Sequence, residues 1–83
     1  MSSITGAQIR MARAALNWSA QYLAQLTQIS HRTIIRMEKN DGFPQSTAAN
    51  LHTIRKSFEA AGIEFIGTPD DRPGIRISSP PDA

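Results

Sequence analysis

The chain has 83 residues, 40% of them hydrophobic and 19% charged, which fits one small folded domain with no room for a second. It has no cysteine, which excludes a disulfide scaffold, a thiolate zinc site and a cysteine nucleophile together. The net charge of +2 is uneven: residues 1–40 carry +4 and residues 41–83 carry −2, so an anionic partner is expected at the first half.

No apolar run approaches the roughly 20 residues of a membrane span, and residues 1–6 lack the basic and apolar blocks of a signal peptide. A cysteine-free chain of this kind is expected in the cytoplasm, away from membranes.

The first helix is expected to start after Thr5. Thr5-Gly6-Ala7-Gln8 has the capping-box spacing, and Ile9, Ala12 and Leu16 fall on one face with Ala15 beside them. Asn17 suits a left-handed exit. Ser19 is the expected cap of a short helix over 20–27, with Leu23 and Ala24 facing inward. Ser30 is the next cap, after only Gln28 and Ile29, and its helix runs over 31–39. Asn40-Asp41-Gly42 is a turn signal, extended by Pro44.

A fourth helix fits 47–61 with Ser46 as cap, striped by Leu51, Ile54, Phe58 and Ala61 and stopped by Gly62. The period then changes. Residues 63–66 and 74–78 are short, β-branched and nearly alternating. They predict a hairpin with a seven-residue loop over 67–73, whose apolar face pairs Ile63 and Phe65 with Ile75 and Ile77 against the helices. Residues 78–83, with Pro80 and Pro81, are expected to be a disordered tail. The domain plan is therefore 1–62, a packed hairpin over 63–77, and the tail.

The helices over 20–27 and 31–39, joined by so short a link, form a helix-turn-helix arrangement. At about 100° per residue, His31, Ile35, Lys39, Arg32 and Arg36 fall within an arc of about 140°, and Ile34 and Met37 fall opposite. The outer arc is basic and holds no acid. Arginine can bridge guanine O6 and N7 with two hydrogen bonds, so such a face suits phosphates and base edges. The plainer alternative is an exposed polar face on an ordinary bundle helix.

Residues 4–62, about 70% of the chain, resemble the Cro/C1-type (XRE) helix-turn-helix domain. The resemblance is carried by Ile9-Arg10-x-x-Arg13, by Trp18-Ser19-Ala20-Gln21-Tyr22-Leu23-Ala24, and by Ile29-Ser30-His31-Arg32-Thr33-Ile34-Ile35-Arg36-Met37-Glu38. It implies a mainly α fold, a compact bundle of four or five helices of lambda-repressor-like type, here with the C-terminal β-hairpin added. It implies a small bacterial or mobile-element transcriptional regulator, with 31–39 as recognition helix in the major groove of double-stranded operator DNA. A homodimer on two half-sites about one helical turn apart is implied as well.

By position, the resemblance makes His31, Arg32 and Arg36 the base readers, with Thr33 supporting. It makes Arg13 and Glu38 a buried ion pair. Arg10, Ser19, Lys39 and Asn40 are candidates for phosphate contacts. Three departures stand out. Ala20 replaces a frequent glutamine that anchors phosphate, Asp41-Gly42-Phe43-Pro44 replaces a frequent basic loop, and Gln28 replaces a frequent glycine. The first two weaken a phosphate clamp.

An alternative reading keeps the fold but changes the partner. Some proteins resembling this family are antiactivators that bind a transcriptional activator protein, and Tyr22, Leu26, Ile35 and Phe43 would form the apolar patch for it. A third reading is an antitoxin, for which the tail is short. Catalysis is not expected. His31 and His52 lie in different helices with no ligand cluster, so no metal and no cofactor is expected. Asp70 and Asp71 sit in a loop without a partner base, and the five glycines form no phosphate loop. Trp18 reads as packing rather than a base-stacking platform. The hairpin has two readings, a cover for the core or a free strand edge for dimerisation, tempered by Arg76 and Glu64.

Overall fold

Each helix begins where a hydroxyl side chain takes up a free amide of the first turn. The computed structural model describes residues 4–42, 44 and 46–78. Its helices are α1 (Gly6–Leu16), α2 (Ala20–Thr27), α3 (His31–Lys39) and α4 (Ala48–Ala60). Thr5 Oγ1 accepts from the Gln8 amide at 3.0 Å, and Gln8 Oε1 accepts from the Thr5 amide at 2.9 Å, which completes the capping box. Ser19 and Ser30 cap α2 and α3 as expected. α4 is capped by Thr47, one residue later than expected. The displaced Ser46 Oγ instead accepts from Asn50 Nδ2 at 3.1 Å.

Two helices end on a residue in the left-handed region: Asn17 at φ 59° after α1 and Gln28 at φ 60° after α2. Gln28 thus does the job that glycine does at a helix end, at some steric cost. Ile29 follows and is buried, which pins the turn between α2 and α3 to the core.

The core gathers one stripe from each helix. Ile9 and Ala12 of α1, Leu23 of α2, Ile34 and Met37 of α3 and Ile54 and Phe58 of α4 are fully buried, with Ile4 and Ile63 nearly so. Burying side chains of this size stabilises the fold by about 1.5–3 kcal/mol each. Leu16 and Leu51 pack at the margin. Ala15, expected beside the inner face of α1, is exposed. Trp18 packs as expected: its ring stacks on Phe58 at 5.5 Å and meets Tyr22 edge-on at 5.1 Å.

Gly62, at φ 96°, ends the helical region and opens the hairpin. Strands β1 (Ile63–Thr68) and β2 (Asp71–Ile77) pair antiparallel with Ile63 opposite Ile77 and Phe65 opposite Ile75. That register is the expected one. The loop is tighter than expected, because pairing resumes at Thr68 and Asp71 after an irregularity at Gly67. Gly67 sits at φ 76°, and a Cβ there would lie 2.2 Å from the Arg72 carbonyl oxygen. A glycine is therefore required for the closer turn.

Ile63 is buried and Phe65 and Ile75 are half-buried, but Ile77 is 67% exposed. Its position on the apolar face is as expected, and its burial is not. On the other face Arg76 Nη1 and Glu64 Oε1 pair at 3.4 Å.

The hairpin is fastened by Gln8. The same amide that closes the capping box donates from Nε2 to the Ile66 carbonyl at 3.1 Å and to the Gly74 carbonyl at 2.8 Å. Ser78, the first residue of the expected tail, donates its amide to the Gly62 carbonyl at 2.6 Å. The rest of that tail, 79–83, lies outside the described residues, as does Phe43.

Candidate nucleic-acid interface

α3 owes its setting to two faces of opposite chemistry. Ile34 and Met37 are fully buried, and Glu38 nearly so. His31, Arg32, Ile35, Arg36 and Lys39 are all exposed. The basic arc expected of the 31–39 helix therefore lies on the solvent side. Arg36 and Lys39 also fall in the last turn, where cations suit the negative end of the helix. Thr33 differs from its neighbours. It is half-buried, and its hydroxyl accepts from Ser30 Oγ at 2.8 Å. It thereby steadies the start of α3.

The C-terminal end of α3 is held by α1. Arg13 grips the Glu38 carboxylate with two hydrogen bonds of 2.7 Å, from Nε and Nη2, and donates from Nη1 to the Trp18 carbonyl at 3.0 Å. The Glu38 side chain is 7% exposed. These hydrogen bonds raise the Arg13 pKa above its ordinary value, against an opposing effect of burial, and the charge of Glu38 adds to the rise. Removing Arg13 would strand the buried Glu38 charge, at about 3–5 kcal/mol, whereas removing Glu38 would leave a partly exposed Arg13 and cost less.

Arg10, one turn earlier, reaches the same end. Its guanidinium donates to the Glu38 carbonyl and to the Asp41 carboxylate. Gly6 approaches there too. Its amide donates to the Gly42 carbonyl at 3.0 Å, and a Cβ on Gly6 would lie 1.9 Å from the Asn40 carbonyl oxygen. α1 is thus clamped against the exit of α3 by Gly6, Arg10 and Arg13.

Of the remaining candidates, Arg36, Lys39 and Asn40 line an open concavity of about 460 Å³ together with Asp41. Ser19 is exposed at the start of α2, its Oγ accepting from the Tyr22 amide at 2.9 Å. Tyr22, Leu26 and Ile35 are exposed, and Phe43 lies outside the described residues. His52 is exposed on α4, and Asp71 pairs with Arg72 at 3.0 Å. Among the described residues no group of three or more side chains could hold a metal ion. No helix among them is long and apolar enough to cross a membrane.

Sequence reasoning missed two positioning residues. The capping pattern does not show the close approach of Gly6 to α3, although a glycine at the first helical position, where alanine is a better helix former, is a signal. The hairpin contact of Gln8 left no local signal at all.

The family model described as Helix-turn-helix matches residues 9–56, from α1 into α4. The chain belongs to the Cro/C1-type (XRE) helix-turn-helix family. That family is one of DNA-binding transcriptional regulatory domains, not of enzymes. No curated protein and no solved structure matches the chain. Within this helix-turn-helix domain α2 and α3 are the defining pair, and the β-hairpin lies beyond the matched region.

Proposed function

We propose that this protein is a sequence-specific transcriptional regulator that inserts α3 into the major groove of duplex DNA. The observation that carries this reading is the exposed face of α3, with His31, Arg32 and Arg36 outward over an inward Ile34 and Met37. His31, Arg32 and Arg36 read base edges, and Thr33 supports them through the cap at Ser30. Lys39, Asn40 and Ser19 face phosphates, and Arg10, whose guanidinium is held by Asp41, is a further candidate. Phosphate contacts set position and salt dependence, whereas base contacts set sequence. The protein acts as a homodimer on two half-sites about one helical turn apart and needs no cofactor.

Arg36 separates base reading from simple charge. Once an operator is mapped upstream of the gene, Arg36→Ala should cost about 1–3 kcal/mol at one base pair and relax the preference there. Lys39→Glu should weaken all duplexes alike. Equal losses on operator and scrambled duplex for Arg36→Ala would contradict base reading by that residue.

A second reading is favoured by one observation, the exposure of Tyr22 (45%), Leu26 (47%) and Ile35 (38%). These residues would serve binding of a transcriptional activator protein. Tyr22→Ala or Ile35→Ala would then abolish regulation and leave DNA binding unchanged.

A further inference from the structure

The carboxylate of Asp41 follows the recognition helix by two residues and holds Arg10. The Asp41 side chain is 81% exposed, and Arg36 and Lys39 line the same open concavity. An ion pair this exposed contributes little to folding. Its placement has another consequence. Arg10 donates from Nη1 to the Glu38 carbonyl and from Nη2 to the Asp41 carboxylate, and its side chain is 42% exposed.

We propose that Asp41 is an intramolecular counter-charge that occupies Arg10 in place of a DNA phosphate and so lowers affinity for every duplex alike. The proposal rests on the DNA-binding reading above and deepens it by naming a residue that limits backbone affinity. A phosphate that reaches Arg10 must displace a carboxylate, exchanging one charge-assisted hydrogen bond for another with little gain. The displaced carboxylate then stays within a Debye length of the backbone, where like charges repel. Both effects act on the phosphate contribution to binding, which carries no sequence information. His31 and Arg32, at the opposite end of α3, lie outside that concavity. Sequence-independent occupancy falls, and what binding remains depends more on base contacts.

The test uses the full chain and two duplexes of the same length, one from upstream of its own gene and one scrambled. Asp41→Asn keeps the shape of the side chain and removes its charge. It should tighten binding to both duplexes by the same factor, about 3- to 10-fold at 50 mM salt. The gain should shrink about 3- to 4-fold between 50 and 200 mM salt, as expected for one added phosphate contact. In an Arg10→Ala background the gain from Asp41→Asn should fall well below its wild-type value, to the part that comes from repulsion of the backbone alone.

If the wild type binds DNA and Asp41→Asn binds equally or more weakly, the counter-charge is overturned and the DNA reading stands. A gain undiminished by Arg10→Ala overturns the route through Arg10. If neither protein binds either duplex at 50 mM salt, both the proposal and the DNA reading fall. Binding by Asp41→Asn alone would support both.

Discussion

Gln28 carries a side chain through a left-handed turn at φ 60°, a conformation that costs a non-glycine residue about 1–2 kcal/mol. Gln28→Gly should relieve that strain, offset in part by the greater freedom of glycine in the unfolded chain. A net stabilisation of about 0.5–1 kcal/mol is expected from denaturant unfolding, and a loss would show that the turn is held by the glutamine side chain itself. Gly6 predicts the opposite sign. Helix propensity alone favours alanine there by about 1 kcal/mol. A Cβ would however meet the carbonyl oxygens of Asn40 and Met37 at 1.9 and 2.4 Å, both backbone atoms. Gly6→Ala should therefore destabilise by about 1–3 kcal/mol, read as a lowered Tm, because α1 must move off the exit of α3.

At the scale of elements, Gln8 joins three of them: the cap of α1, β1 and β2. Its amide has its oxygen on Thr5 and its nitrogen on two hairpin carbonyls. Gln8→Glu preserves the capping box, for which glutamate is as good as glutamine. It also turns a carboxylate oxygen toward the carbonyls of Ile66 and Gly74. A buried group that loses its partners costs about 1–3 kcal/mol, more when charged. A lowered stability with faster amide exchange in 63–77 is expected, and unchanged exchange there would show that the hairpin is held by apolar packing alone.

The elements themselves were legible because their signals are local. Thr5, Ser19 and Ser30 lie within one turn of the amides they cap, and the stripe Ile54–Phe58 repeats at the helical period. The basic face of α3 was legible for the same reason. What escaped depends on residues far apart in the chain. Nothing near Gln8 announces Ile66 or Gly74, and nothing near Gly6 announces Asn40. Ile77 shows a third limit: alternation identifies its face, but not whether the helices extend far enough to cover it. Asp41 was visible as a departure from the family's frequent basic loop, and its grip on Arg10 required the fold.

For the whole molecule, the central claim is that a family fold of DNA-binding regulators uses its exposed α3 face to read sequence. Arg13 and Glu38 hold α3 by its exit, Gln8 ties the hairpin beside α1, and the solvent face carries cations with no acid among them. In the proposed dimer two such faces would meet one side of a duplex. The most direct test is a titration of the purified protein with duplex from upstream of its own gene, beside scrambled duplex, at about 50 and 200 mM salt. The account predicts salt-dependent binding that prefers the upstream sequence, with two protein chains per site. Absence of binding to either duplex at 50 mM salt would contradict it and direct attention to a protein partner at Tyr22, Leu26 and Ile35.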